Sequence, residues 1–315
     1  MQGASGGFSG LRAGGLVGAV MLVACMSMAT AQDAKEKGEG EPKVAADGKL
    51  VPLTKTGAVV LDPKGKKVLL KTKVVLREGV LEMLVCKKQT KEHEAILSID
   101  APAFVIHSGL LALGLEPGSP VQFNPEYKAP SGARVDIFLT WTDEKGKPNR
   151  VPAQDWIRNQ VRRFYVVKME RLPADVKLPK EGKENEIRYD SKHKELSWYG
   201  PMTVAQRDRL QALSADKEFK KAIETFYEKS QSKKMAAHWV FAGSGFFTDE
   251  DGQKHYQAEG GDVICVANFP TAMLDVDTQS SSTGEENLLY EAWTEKIPPL
   301  GTEVTVELVP APAKK

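Results

Sequence analysis

The sequence predicts an α+β fold: a mainly antiparallel sheet system with a buried helix and an inserted helical hairpin. Three observations favour this class. Runs rich in β-formers alternate with turn residues over positions 66–167 and return after position 236. Residues 103–113 are apolar on nearly every side, which is typical of a buried helix. Residues 203–231 show helical spacing between two polar segments.

The first part of the domain predicts strands followed by one well-defined helix. β-rich runs at 68–76 and 80–86 flank a turn and form a hairpin, and 95–99 is a further strand. Asp100 then offers a cap and Pro102 a first-turn proline, so a helix is predicted over 103–113. Gly114 ends this helix. Further strands are predicted at 121–123 and 134–142.

The tract from 171 to 236 predicts an insertion into this domain. Its first part is dense in Lys, Glu and Pro and loses the hydrophobic pattern. Thr203 and Gln206 form a capping box, and Phe219, Ile223 and Phe226 follow at helical spacing. Because strands resume directly afterwards, we interpret 66–310 as a single α+β domain with this insertion, followed by a tail at 311–315.

The first 31 residues predict export. Arg12 is the only charged residue before Asp33, a short apolar run covers 16–24, and Ala29-Thr30-Ala31 is a small-residue cleavage pattern. The run is too short to cross a bilayer, so we expect no transmembrane segment and a periplasmic or other extracytoplasmic location. The alternative is a lipoprotein, because Leu22-Val23-Ala24-Cys25 resembles a lipidation box. Residues 32–65 are predicted to form a disordered or extended leader.

Charge and cysteine content limit the function classes. The net charge of +1 provides no electrostatic basis for binding nucleic acid. If Cys25 leaves with the signal or is lipidated, Cys86 and Cys265 remain, and an oxidising compartment predicts a disulfide between them. Against this, two cysteines can also lie unpaired in one core, since free cysteine is among the most buried residue types.

Five segments together carry a family resemblance: 81–86, 91–97, 107–114, 239–244 and 261–270. They resemble the YdjY-like domain family of exported bacterial proteins, which is common in planctomycete-type genomes. The resemblance implies export and no established activity. Some relatives have been linked to iron–sulfur redox proteins, but this chain has no closely spaced run of cysteines, so no iron–sulfur cluster is expected.

Four residues are candidates for a transition-metal site: Cys86, His93, Glu94 and His107. A thiol and two imidazoles are suitable ligands, but their spacing matches no standard zinc motif. The alternative is a buried thiol, a surface His-Glu pair and a histidine bonded to backbone. Ser244 is not expected to be a nucleophile, because the residues around it do not form a nucleophile elbow.

These observations predict a non-catalytic exported protein that binds an unknown protein or small ligand, in association with the cell envelope. No catalytic residue and no cofactor are predicted. The alternative is a metal-dependent or redox enzyme centred on Cys86, His93 and His107.

Overall fold

The computed structural model describes residues 49–178, 187–280 and 289–312. All of them belong to one compact unit, Pro42–Lys315. The predicted signal peptide at 1–31, the lipidation alternative Cys25 and leader residues 32–48 lie outside the described residues. Within the described ranges, no helix has both the length and the apolar character needed to span a membrane.

Short strands account for most of the regular structure. In chain order the strands are β1 (Val51–Pro52), β2 (Val59–Asp62), β3 (Lys67–Val74), β4 (Met83–Lys87), β5 (Ala95–Ile99), β6 (Arg134–Thr142), β7 (Pro148–Pro152), β8 (Ile157–Asn159), β9 (Phe164–Lys168), β10 (Arg188–Asp190), β11 (Glu195–Tyr199), β12 (Trp239–Phe241), β13 (Phe246–Thr248), β14 (Lys254–Tyr256), β15 (Ile264–Cys265), β16 (Leu274–Val276), β17 (Tyr290–Ala292) and β18 (Glu303–Pro310). The α-helices are α1 (Ala103–Ala112), α2 (Val204–Gln211) and α3 (Lys217–Lys229), with 3₁₀ turns at Ala153–Trp156 and Gln257–Gly260.

Eight strands close into a barrel in the order β3-β18-β6-β12-β16-β15-β4-β5, and β5 returns to pair with β3. Only 16% of the chain is helical and 35% is strand. The α+β prediction, a mainly antiparallel sheet system with a buried helix, was therefore wrong, and the fold is a mostly β closed barrel. Closure depends on pairings such as Thr72 with Ile99 and with Val304, and the second of these joins residues far apart in the sequence.

Strands β3 and β6 turn one face to the barrel interior, whereas β4, β15 and β16 are buried on both faces. Leu70, Val306 and Leu139 are register partners across β3, β18 and β6, and all three are fully buried. This alternation of inward apolar and outward polar residues is what a half-buried strand requires.

Helix α1 covers one end of the barrel with a single face. Gly109 lies so close to Leu53 and Val68 that only glycine fits there without a shift. On the opposite face, Phe104 is 47% exposed and Leu111 is 46% exposed. The prediction of a helix buried nearly all round was wrong, because the apolar pattern does not show whether a second layer covers it.

The ordered core begins earlier than residue 66. Strand β2 pairs with β3, and its Val59 and Leu61 are buried in the main core. The last part of the predicted leader, residues 49–65, therefore contains ordered strands.

Two halves of the barrel have the same topology. Strands β4 and β5 are parallel neighbours joined across residues 88–94, and β15 and β16 are parallel neighbours joined across residues 266–273. We call these two connections the crossover loops. Strands β4 and β15 pair antiparallel, with Val85 opposite Ile264, and a cysteine follows each of them. The arrangement β5-β4-β15-β16 thus has approximate two-fold symmetry about the β4–β15 boundary.

The inserted tract forms its own small core against the sheet β10-β11-β9. Phe219, Ile223 and Phe226 of α3 are buried there with Trp198, and Thr203 and Gln206 make the predicted capping box of α2. The structure draws the boundaries of this unit differently from 171–236. Strand β9 belongs to it, whereas Met235 lies in the core of the barrel.

Candidate functional site

The structure does not bring the four predicted metal ligands together. Cys86 is buried in a small hydrophobic cluster, the side chain of His93 is 77% exposed, and His107 packs among aromatic rings. Glu94 lies 3.7 Å from the His93 ring, between carboxylate Oε2 and Nε2. In the described part of the chain, no group of three or more His, Cys, Asp or Glu side chains is placed to hold a metal ion.

His107 has a structural environment. Its Nδ1 lies 2.9 Å from the Tyr256 hydroxyl, which itself donates to the Gly243 carbonyl at 3.0 Å. The phenol proton is used in that bond, so Nδ1 of His107 is the donor to the phenol oxygen. Burial lowers the pKa of His107 below its usual value, which favours this neutral form.

A polar cluster lies beside the crossover loops. We call Glu82, Lys91, Glu94, Asp262 and Thr271 the crossover cluster. The Lys91 ammonium lies 2.9 Å from Asp262 Oδ1, 3.8 Å from Glu94 Oε1 and 3.9 Å from Glu82 Oε2. The 2.9 Å contact between Lys91 Nζ and Asp262 Oδ1 is an ion pair, but its angles do not meet strict hydrogen-bond geometry. The Thr271 hydroxyl donates to the second Asp262 oxygen.

Burial and crowding of carboxyl groups change the protonation of this cluster. Burial, with the neighbouring Glu94, raises the pKa of Glu82 to about 7. Burial works against the charge of Lys91, but Asp262, Glu94 and Glu82 outweigh it and raise the pKa of the ammonium. The charged ammonium of Lys91 thus faces Asp262, while the neighbouring Glu94 carboxylate is part of what holds the pKa of Glu82 near neutral.

The cluster joins parts of the chain that are distant in sequence. Lys91 sits in the first crossover loop, whereas Asp262 precedes β15 and Thr271 lies in the second loop. Its charged groups pair mainly with one another, which indicates that the crossover cluster connects the two halves of the barrel. Sequence reasoning missed Glu82, Lys91 and Asp262 as functional residues. The available signal was that all three stand within the segments that resemble the family.

Cys86 and Cys265 are close to the crossover cluster. Both thiols are free and buried in the structure, and they share one small hydrophobic cluster with Met83, Ala95 and Ala272. Burial raises the pKa of Cys86 to about 11 and that of Cys265 well above the ordinary thiol value. The predicted disulfide stays a prediction, now with both partners in one cluster.

We expect a Cys86–Cys265 bond in protein recovered from an oxidising compartment, because such a compartment favours pairing of two thiols in one cluster. Thiol counting on the mature protein, denatured without reductant, should find no free thiol. The Cys86→Ala variant is the matched control and should show one, from Cys265. Two free thiols per wild-type chain would contradict the bond.

A groove of about 1130 Å³ lies on the barrel. It runs over the barrel surface beside β3, β18, β6 and β7 and past the end of β5. Its wall is rich in hydroxyl and charged side chains together with one indole, Trp141; the polar members are Lys71, Thr72, Lys73, Lys88, Glu92, Ser98, Asp100, Thr140, Thr142, Asn149, Arg150, Thr302, Glu303 and Thr305.

The charges of the groove are mostly paired at its margins. Lys88 contacts Asp100 at 2.7 Å, and Lys73 contacts Glu303 at 3.8 Å. Lys71 has no ion-pair partner among the described residues. Trp141 packs edge-on against the buried Trp156, with ring centroids 5.1 Å apart, which holds its indole in place. The groove therefore presents fixed hydrogen-bonding groups and one cation to a ligand.

These features define a mostly β barrel domain of two similar halves. The chain belongs to the YdjY domain family, whose sequence model matches residues 59–170 and 201–309. Residues 171–200, with β10 and β11, fall outside the match, whereas α2 and α3 fall within it. No curated protein and no solved structure matches the chain significantly.

Proposed function

We propose that this chain is an exported, non-catalytic binding protein of the cell envelope, and that its ligand is a hydrophilic molecule held in the groove. The observation that carries the proposal is the groove itself. Its volume of about 1130 Å³ exceeds the space that a small-molecule site usually needs.

The lining supports a binding role. Hydroxyl and amide groups of Thr140, Thr142 and Asn149 alternate with paired charges, and a fixed indole stands beside them. Such a surface offers many hydrogen bonds, and its strands hold them in fixed positions. Lys71 provides one cation for an acidic group of the ligand.

The experiment is a binding titration with soluble envelope components: cell-wall glycan fragments, acidic polysaccharide and short peptides. Isotope-labelled mature protein should show saturable shifts confined to the amides of Thr140, Thr142 and Thr305. Lys71→Glu should weaken the binding of an acidic ligand about tenfold, and Lys64→Glu, on an exposed turn outside the groove, is the matched control.

Two results would overturn the proposal. One is the absence of groove shifts with every component of the panel. The other is stoichiometric zinc, copper or iron in the purified protein that disappears when His93 and His107 are replaced by Ala, because a metal site on these residues favours the metal-dependent alternative.

A further inference from the structure

Among the described residues, strand β9 is an edge strand that pairs with β11 alone, since the small sheet has the order β10-β11-β9. Gly200 N–H donates to the Arg163 carbonyl, and Met169 N–H donates to the Lys194 carbonyl. In an antiparallel ladder the bonded residues alternate, so the odd-numbered residues of β9 bond to β11. The backbone groups of Phe164, Val166 and Lys168 therefore point away from the sheet.

Two side chains of this edge strand are apolar and exposed, whereas proteins usually protect an edge strand from pairing with other chains. Phe164 is 56% exposed and Val166 is 48% exposed. Natural edge strands are normally blunted by charges, proline or a covering element, because a free edge pairs readily with other chains. No described residue bonds to the outward backbone groups of β9.

A cleft of about 550 Å³ runs along the edge. The start of β9 forms one wall, and residues of β8 and β17 with their neighbours form the other, including Gln160 and Tyr290. Arg163 and Lys229 stand at the cleft, and neither has an ion-pair partner in the described part of the chain. The space beside the edge therefore carries positive charge.

We propose that the β9 edge is a docking site for an extended, acidic segment of a partner protein, which adds to the small sheet as a further strand. The free backbone groups supply the main-chain hydrogen bonds of such a complex. Phe164 and Val166 contact the apolar side chains of the segment, and Arg163 and Lys229 attract its carboxylates. This site is separate from the groove and does not rest on the function proposed for it.

The test uses a fluorescent peptide in which Val and Glu alternate, titrated with the full mature protein. Its anisotropy should rise with saturation, whereas a Val–Lys peptide should bind at least tenfold more weakly. Val166→Pro removes an outward N–H without touching the ladder to β11, and edge strands tolerate proline in that position. It should weaken binding about tenfold or more, as should the double variant Arg163→Glu, Lys229→Glu.

Matched controls separate docking from unfolding and from general charge. Lys221→Glu, on an exposed position of α3, should leave binding unchanged, and circular dichroism should show that Val166→Pro is folded. Hydrogen exchange gives a second measurement: the Val166 amide should exchange quickly in the free protein and slowly with peptide bound. No saturable binding, or equal binding by Val166→Pro, overturns the proposal. Self-association that Val166→Pro abolishes would assign the edge to a second copy of this chain instead.

Discussion

Replacing Asp275 with Asn is expected to abolish much of the loss of stability that the wild-type protein undergoes as the pH rises from about 4 to about 7. Asp275 lies in β16 and is fully buried. Its Oδ1 accepts bonds from Asn268 Nδ2 at 3.0 Å and from the Val276 N–H at 2.7 Å. Its Oδ2 has no hydrogen-bond partner among the described residues.

Whether stability rises or falls with pH follows from the direction of the pKa shift. Burial raises the pKa of Asp275 from 3.8 to about 7, so the folded protein holds a proton that the unfolded chain has released. Stability is then complete below the unfolded pKa and is lost as the pH rises through the folded pKa. Asn mimics the protonated carboxyl and keeps an acceptor at Oδ1. We expect a gain of about 2–4 kcal/mol at about pH 8.

Two other groups titrate in the same range. Glu82, with its pKa raised to about 7, gives a slope of the same sign and should persist in Asp275→Asn. His107 acts in the opposite direction, because its lowered pKa reduces stability below the usual histidine pKa. Urea unfolding at several pH values measures the slope. Asp277→Asn, on an exposed carboxylate nearby, is the matched control, and an unchanged slope in Asp275→Asn would contradict the prediction.

The features that were predicted best from the sequence are those that depend on residues close together in the chain. The capping box of Thr203 and the apolar face of α3 depend on contacts within one helical turn or between adjacent turns. The first residue of α1 was predicted correctly, but its N-cap is Pro102 and no side chain caps the helix. Strands β3, β5 and β6 were recognised because alternation along one strand is a local property, whereas residues 121–123 form no strand and β10 and β11 lie in the tract expected to be a polar loop. Residues 49–65 escaped recognition because β1 and β2 are short and stand next to a polar leader.

The features that the sequence did not predict depend on contacts between residues that are far apart in the chain. Barrel closure requires β3 to meet β18, and the hydroxyl of Thr72 bonds to the carbonyl of Val304 across most of the chain. The crossover cluster assembles Glu82, Lys91 and Asp262 in the same way, from two halves of the barrel. No spacing rule covers such a group. The structure also does not bring the predicted metal ligands together, since His93 is exposed and His107 packs among aromatic rings, and the metal site stays a prediction.

Replacing Lys91 with Met should be among the most damaging single changes in the crossover cluster. The variant keeps the length and apolar stem of the side chain but leaves Glu82, Glu94 and Asp262 facing one another without a cation. Removing one partner of a largely buried ion pair costs far more than the net value of the pair, because the remaining charge stays desolvated. We expect a loss of about 3 kcal/mol at about pH 8.

The matched control is a second lysine of the first crossover loop, Lys88. Lys88 pairs with Asp100 at 2.7 Å, but both side chains are exposed, so Lys88→Met should cost much less stability than Lys91→Met. The deficit of Lys91→Met should shrink at about pH 5, since Glu82, whose pKa is raised to about 7, is then protonated and no longer adds to the repulsion that the ammonium had balanced. Urea unfolding of both variants at the two pH values measures this. Equal costs for Lys88→Met and Lys91→Met, or a deficit in Lys91→Met that is independent of pH, would show that the cluster does not hold the two crossover loops together through its charges.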